Sequence, residues 1–267
     1  MEGHMVTGFS RVFGCAANLE RGRKCSFCGS FKVNRTARGY VKCRLCKHSK
    51  SLKRLRKEIA IIKGFYQQAP AYRLAGDLAL DAKVVSRVYQ RLRQAIYHQA
   101  ELEGGANKLS GEIEADEAYF GGKRKGKRGR GAAGKSIVFG LLERDGRVYT
   151  KVVENVSAAV LMDHIKTRTR KGSVYFTDAF KGYRSLRRYG KHHTVNHRKG
   201  HVDRRTKNHI NGIEGFWSYA KHILYNYRGV SQYHFPMYLK EIEFRFNHRN
   251  DNTFKLFMNS YFGFVSP

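Results

Sequence analysis

An α/β fold follows from three features of this 267-residue sequence: two Cys-x-x-Cys pairs near its start, a helical stretch behind them, and alternating apolar runs from about residue 108. The apolar runs set the class. Glu112-Ile113-Glu114-Ala115-Asp116 reads as a short strand whose end meets Gly121 and Gly122, and Lys135–Leu142 and Arg147–Val153 read as two more, joined at Asp145-Gly146, a favoured hairpin pair. A helix from Ser157 to about Arg170 follows, then the apolar strand Val174-Tyr175-Phe176-Thr177, ending at Asp178. Three antiparallel strands, a helical crossover and a further strand are the opening order of an RNase H-like mixed sheet with flanking helices. Residues 108–250 are assigned to it, after a segment of unknown role (1–20), a zinc ribbon (21–57) and a helix-turn-helix-like region (58–103), and before a tail (251–267).

The ribbon rests on Cys25-Ser-Phe-Cys28 and Cys43-Arg-Leu-Cys46, with 14 residues between the pairs. Each turn points two thiolates at one tetrahedral ion, so Cys25, Cys28, Cys43 and Cys46 are predicted to hold one zinc, with Gly29 and Gly39 relieving the backbone where the chain turns. Two disulfides are the alternative, which a reducing compartment disfavours; Cys15 is left as a free thiol. Arg21 to Lys57 holds 14 Lys or Arg and no acidic residue. The ribbon is therefore expected to rest on a phosphate backbone as well as stabilise itself, the alternative being a solvated surface around a purely structural metal.

From Ile59 to about Glu103 the spacing is helical, with Ile59, Ile62, Phe65 and Tyr66 on one face and a break at Pro70. A second helix covers Ala71–Ala79. Asp81 is the predicted N-cap of a third, whose apolar face is Val84, Val85, Val88, Leu92 and Ile96. It carries Lys83, Ser86, Arg87, Gln90, Arg91 and Arg93 away from the core, which suits a helix-turn-helix reading DNA through Lys83, Arg87 and Arg91. The turn has no glycine, and a plain helical linker is the other reading. Glu103-Gly104-Gly105-Ala106-Asn107 is taken as the boundary.

In an RNase H-like sheet the ends of the first and fourth strands lie side by side, so Asp116 and Asp178, 62 positions apart, are expected to meet. A third acid lies downstream. Asn208 to Lys221 reads as a helix with Ile210, Ile213, Trp217 and Ala220 facing the core and Asn211, Glu214, Ser218 and Lys221 on an adjoining face. The 35 residues between Asp178 and Glu214 leave room for a helix (Tyr183–Tyr189), a strand (His192–His197) and a basic loop. Carboxylates in a chain of net charge +31 suggest metal ions held against phosphate, because magnesium-type ions take hard oxygen ligands and leave positions for phosphate. The cations would hold the polyanion. Lys123, Arg124, Lys127, Arg128 and Arg130, in an expected mobile loop near Asp116, and Arg198, Lys199, Arg204, Arg205 and Lys207 join Lys221 as predicted DNA contacts.

The segments Glu-Ala-Asp-Glu-Ala-Tyr-Phe-Gly-Gly (114–122), the strand ending at Asp178, His-Ile-Asn-Gly-Ile-Glu-Gly-Phe-Trp-Ser (209–218), Tyr238-Leu239-Lys240-Glu241 and Arg245-Phe246-Asn247 resemble bacterial insertion-sequence transposases of the DDE class related to the eukaryotic Merlin elements. Members often carry an N-terminal zinc ribbon. The resemblance implies excision and insertion of a mobile element by two-metal phosphoryl transfer, with Asp116, Asp178 and Glu214 as ligands of two Mg²⁺ or Mn²⁺ ions. Some relatives use asparagine at the position of Asn211 with a downstream lysine, here Lys221, so Asn211 stands beside Glu214 as a candidate. Two ions about 3.5–4 Å apart stabilise both the attacking and the leaving oxygen at phosphorus. Double-stranded DNA, as element ends and target, is the implied partner, and a homodimer or higher assembly is expected because each of two ends needs a site.

Other features of the sequence are weighed against this reading. Gly129-Arg-Gly-Ala-Ala-Gly134-Lys135-Ser136 fits the P-loop pattern, yet a basic Gly-rich stretch precedes it and a strand-like Ile137-Val138-Phe139 follows, where a P-loop needs a strand before and a helix after. His192, His193, His197, His201 and His209 are interleaved with cations and read as phosphate contacts or exposed residues. Trp217 reads as core, as does the run Phe235, Tyr238, Leu239, Ile242 and Phe246. No run of about 18 apolar residues exists, and residues 1–20 lack a secretory pattern, so the expected place is the cytoplasm and nucleoid, with no membrane. A catalytically silent DNA-binding repressor and an RNase H-like nuclease without strand transfer stay open as alternatives.

Overall fold

The computed structural model describes residues 16–121, 135–144, 146–195, 208–227 and 229–264, and the chain divides into two units: residues up to 99 with those from 248 onward, and residues 100–247. In the first unit, α1 (Ala16–Glu20) precedes an antiparallel sheet of β1 (Val33–Arg35), β2 (Tyr40–Cys43) and β3 (Ser49–Ser51). Gly29 and Gly39 take φ values of +70° and +75°, so the two turns use the freedom glycine brings. Three helices follow, α2 (Leu52–Tyr66), α3 (Ala71–Asp77) and α4 (Ala82–Ala106).

Pro70 stands just before α3, and Asp81 Oδ1 accepts the Lys83 N–H at 2.6 Å, which starts α4 where its cap was expected. The turn between them lacks glycine and uses Ala79 at φ +49° instead. Val85, Val88, Leu92 and Ile96 are buried and Val84 is partly so, as the helical period requires. Arg93 departs from expectation. It is 3% exposed, its guanidinium 5.2 Å from the Phe65 ring centroid and 5.7 Å from that of Tyr89, because aromatic faces can take a flat cation into the core. Tyr66, read as part of the apolar face, is exposed and meets the ring of Phe254.

Gly104 and Gly105 do not end α4. A Cβ at Gly104 would lie 2.8 Å from Arg168 Nη1, so that glycine serves close approach rather than a break. Arg168 is held there by Glu101 at 2.8 Å.

The second unit is a five-stranded sheet of β4 (Glu112–Phe120), β5 (Ser136–Glu143), β6 (Val148–Val153), β7 (Val174–Thr177) and β8 (Lys191–Thr194), in the order β6-β5-β4-β7-β8. β4, β5 and β6 pair antiparallel, and β7 and β8 join β4 in parallel. That is the RNase H-like order. The crossover from β6 to β7 is α5 (Ala158–Arg168), whose Ser157 cap accepts the Val160 N–H at 3.4 Å, and a 3₁₀ helix, Lys181–Arg188, leads to β8. β4 runs to Phe120, four residues beyond the end read from sequence, because Glu117 to Phe120 keep pairing with β5 in register.

Strand alternation sends side chains to two cores. Ile113, Ala115, Phe139 and Leu141 meet Leu161 and Ile165 of α5 with Tyr183 and Leu186 of the 3₁₀ helix. Ala118, Phe120, Val138 and Leu142 meet α6 (Asn211–Tyr225) and α7 (Phe235–Asn247) on the other face. Ile213, Phe216, Trp217 and Ala220 anchor α6, each large apolar side chain contributing about 1.5–3 kcal/mol when fully buried. Asn247, at the end of α7, closes the outer edge of β6 by exchanging hydrogen bonds with the Val148 N–H (2.7 Å) and carbonyl (2.9 Å). α8 (Thr253–Phe264) belongs to the first unit, with Phe257 edge-on to Phe65 of α2 at 5.2 Å.

Candidate active site

Asp116 sits in the middle of β4, opposite Gly140 of β5, and where β4 stops pairing with β7. The last parallel pair is Ala115 with Thr177, so Asp116 and Asp178 are the next residues on two strands about 4.8 Å apart. Asp178 is fixed by its own turn: Oδ1 accepts the Phe180 N–H at 2.9 Å. Glu214 lies in the first turn of α6, the helix packed over β4 and β5. The charges of Asp178 and Glu214 both reach Asp116. Burial above all, with the charges of Asp178 and Glu214 adding to it, pushes the Asp116 carboxyl up to about 6, against hydrogen bonds from the Glu117 backbone and the Trp217 indole.

The chemistry of that donor set suits hard divalent cations, since a half-buried carboxylate pressed by two others lacks positive charge. Among the described residues the four cysteines, with ligand atoms within 4.8 Å of one another, are the group placed to hold a metal ion; the three carboxylates do not form such a group. Asn211 opens α6 one turn before Glu214 and is exposed, and Lys221 is exposed two turns beyond it. Lys221 lines a cleft of about 600 Å³ with Tyr119, Phe120, Gly121 and Ser136, the last two on either side of residues 122–134, which lie outside the described residues.

Two supports escaped the sequence reading. Trp217 is core, 4% exposed, and its indole N–H also donates to Asp116 Oδ2 at 3.2 Å. Gly140 makes room for it, since a Cβ there would come 2.4 Å from the indole ring. On the opposite face of β4, Glu117 accepts the hydroxyl of buried Tyr183. Burial first, then the charges of Glu117, Asp116 and Asp178, keep that phenol protonated. An acid in an apolar strand, next to Asp116, was the available signal.

Residues 108–247 match the model of the ISXO2-like transposase domain. The chain belongs to that family. An uncharacterized transposase-like protein of Haemophilus influenzae is 39% identical to this transposase over 102 residues, 38% of the chain and 81% of the relative. Among solved structures, the Mos1 transposase paired-end complex with left transposon end covers 72% of the chain and 76% of its own at 12% identity and a TM-score of 0.27. The Mos1 strand transfer complex stands at 13% identity and 0.27, covering 72% and 75%.

In the first unit of the transposase the four cysteines converge. Cys25 Sγ lies 3.7 Å from Cys46 Sγ and Cys28 Sγ 3.6 Å from Cys43 Sγ, close to the roughly 3.8 Å edge of a tetrahedron with Zn–S bonds of about 2.3 Å. The Phe27 and Leu45 N–H groups point at Cys25 and Cys43 at 3.3 and 3.4 Å, as thiolates require. Without a metal, burial raises Cys25 to about 12. The cluster fits zinc.

Of the predicted DNA contacts, Lys83 and Arg87 are exposed and Arg91 is partly buried. Arg87 and Arg91 of α4 line one cleft of about 460 Å³ with Lys53, Arg54 and Lys57 of α2. Lys123, Arg124, Lys127, Arg128, Arg130, Arg198, Lys199, Arg204, Arg205 and Lys207 lie outside the described residues, as do Cys15, Asp145, His197 and His201. Lys135-Ser136 leads into strand β5, so the P-loop pattern lacks its helix. No helix among the described residues is long and apolar enough to cross a membrane.

Proposed function

We propose that this transposase cuts DNA at the ends of a mobile element and joins the freed 3′-hydroxyl to target DNA, at the site formed by Asp116, Asp178 and Glu214. One observation carries the proposal: Asp178, the residue after β7, and Glu214 of α6 both act electrostatically on Asp116 of β4, adding to the burial that raises its carboxyl to about 6. Divalent cations, Mg²⁺ or Mn²⁺, would supply Lewis-acid stabilisation to the attacking and leaving oxygens at phosphorus when held there. Asp116 holds that position from within β4 and Asp178 from the residue after β7. Glu214, rather than neutral Asn211, completes the acidic set, and Lys221 faces the backbone phosphates from the same helix.

In the cutting step, water loses a proton and forms a new bond to phosphorus as the bridging 3′ oxygen leaves and takes up a proton. In joining, that 3′-hydroxyl loses its proton, bonds to a target phosphorus and displaces a target 3′ oxygen, which is protonated in turn. Double-stranded DNA is held by the chain's excess cations, in part by the α2–α4 cleft and in part by the basic stretches at 123–130 and 198–207. Two ends call for two copies of the chain. Zinc in the cysteine cluster holds the ribbon together.

The test is to incubate the purified protein with Mg²⁺ or Mn²⁺, labelled element ends and a target plasmid. Cut ends joined to target are the expected product. Cut ends alone would make the protein a nuclease, and bound but intact ends would make it a silent DNA-binding protein.

A further inference from the structure

We infer that buried Glu114 and partly buried Arg144 form a clamp that sets α6, and with it Glu214, against the strands carrying the two aspartates. Glu114 lies two residues before Asp116 and on the same face of β4, since strand side chains alternate. It is fully buried, and both its oxygens are engaged. Oε2 accepts the N–H of Ile213, the residue before Glu214, at 2.8 Å, while Oε1 accepts Arg144 Nε at 3.0 Å and lies 3.3 Å from His209 Nδ1.

Arg144 spends its guanidinium on three segments at once. Besides Glu114 it donates from Nη1 to Glu112 Oε2 at 2.7 Å and from Nη2 to the His209 carbonyl at 2.8 Å, and its plane lies 3.7 Å above the Phe176 ring. Phe176 is two residues before Asp178, and His209 is two before Asn211. The pair therefore ties β4, the end of β7 and the lead into α6, the three places from which the acidic trio comes.

The start of α6 needs such an outside partner. Its N-cap is Ile210, whose side chain accepts no hydrogen bond, so an acceptor for the first-turn N–H groups has to come from elsewhere. A carboxylate at a helix N-terminus also meets the positive end of the helix dipole. Gly212 permits the approach: a Cβ there would lie 2.8 Å from Glu114 Oε2 and 3.0 Å from Leu142 Cδ2. The carboxylate is not free to give way, because it is pinned from both sides. Glu114 and Arg144 are thus positioning residues, acting on phosphoryl transfer through the placement of Glu214.

This rests on Glu214 belonging to the site, so the experiment includes E214Q. Cleavage of labelled ends by E114Q, R144K and E214Q is measured across a Mn²⁺ titration, with end binding by gel shift and unfolding by circular dichroism. Glutamine can still accept the Ile213 N–H but cannot pair with Arg144, and lysine cannot reach three acceptors together. E114Q and R144K are expected to cut about 10–100-fold more slowly at limiting Mn²⁺, the usual cost of disturbing groups that orient metal ligands, and to recover as Mn²⁺ is raised. End binding should stay at the wild-type level, and E214Q should not cut at any concentration. If E114Q does not fold, R144K decides. Wild-type rates and Mn²⁺ dependence in the folded variants, beside an inactive E214Q, would overturn the clamp alone; an E214Q that cuts normally would overturn the site and the clamp together.

Discussion

Trp217 and Gly140 show how one side chain can serve two levels of structure. Helical spacing was enough to put Trp217 in the core, and its 4% exposure agrees. Spacing could not reveal that the indole N–H ends on Asp116 Oδ2 at 3.2 Å, because that contact joins residues 101 positions apart. Gly140→Ala would force a Cβ against the indole, and overpacking of this kind costs about 1–3 kcal/mol. The expected outcome is lower stability in denaturant unfolding together with slower end cleavage, because the indole is displaced from Asp116. Trp217→Phe removes the donor and keeps most of the packing, so cleavage should fall more than stability does. Equal stability and activity in Gly140→Ala would remove the pair from the site. Arg93 teaches the same lesson in reverse: a cation at an outward helical position turned in, because Phe65 and Tyr89 offered it ring faces.

At the scale of elements, the signals that carried furthest were local. The cysteine pairs, Pro70, the Asp81 cap and the run Val174–Thr177 each fixed an element from a few adjacent residues. What depended on distant partners was harder to read. β4 was cut short at Asp116 although Glu117 to Phe120 continue its ladder, since the pairing that extends it comes from β5. α8 gave no signal of its destination, because an apolar helix face does not say which other face it will cover; Phe257 on Phe65 supplies the answer. The ribbon makes a prediction of its own. Metal analysis should find one zinc per chain, and Cys43→Ser or a strong chelator should unfold the ribbon sheet, seen as loss of amide-exchange protection in β1–β3, because metal-binding energy in such small modules is folding energy. Full protection without metal would leave the cluster a set of thiols.

For the whole molecule, the sequence carried the order of the sheet, while the reach of the Asp178 and Glu214 charges to Asp116 needed coordinates. A net charge of +31 favours contact with polyanions, and in the proposed function the three carboxylates turn that contact into chemistry. The central claim is that Asp116, Asp178 and Glu214 are one site on three elements. Asp116→Asn, Asp178→Asn and Glu214→Gln each keep the shape of the side chain and remove its charge. The most direct measurement is end cleavage and end binding by these three variants in parallel. The account predicts cleavage at background for all three with binding close to that of the unaltered protein; cleavage at the unaltered rate by any one of them would contradict it.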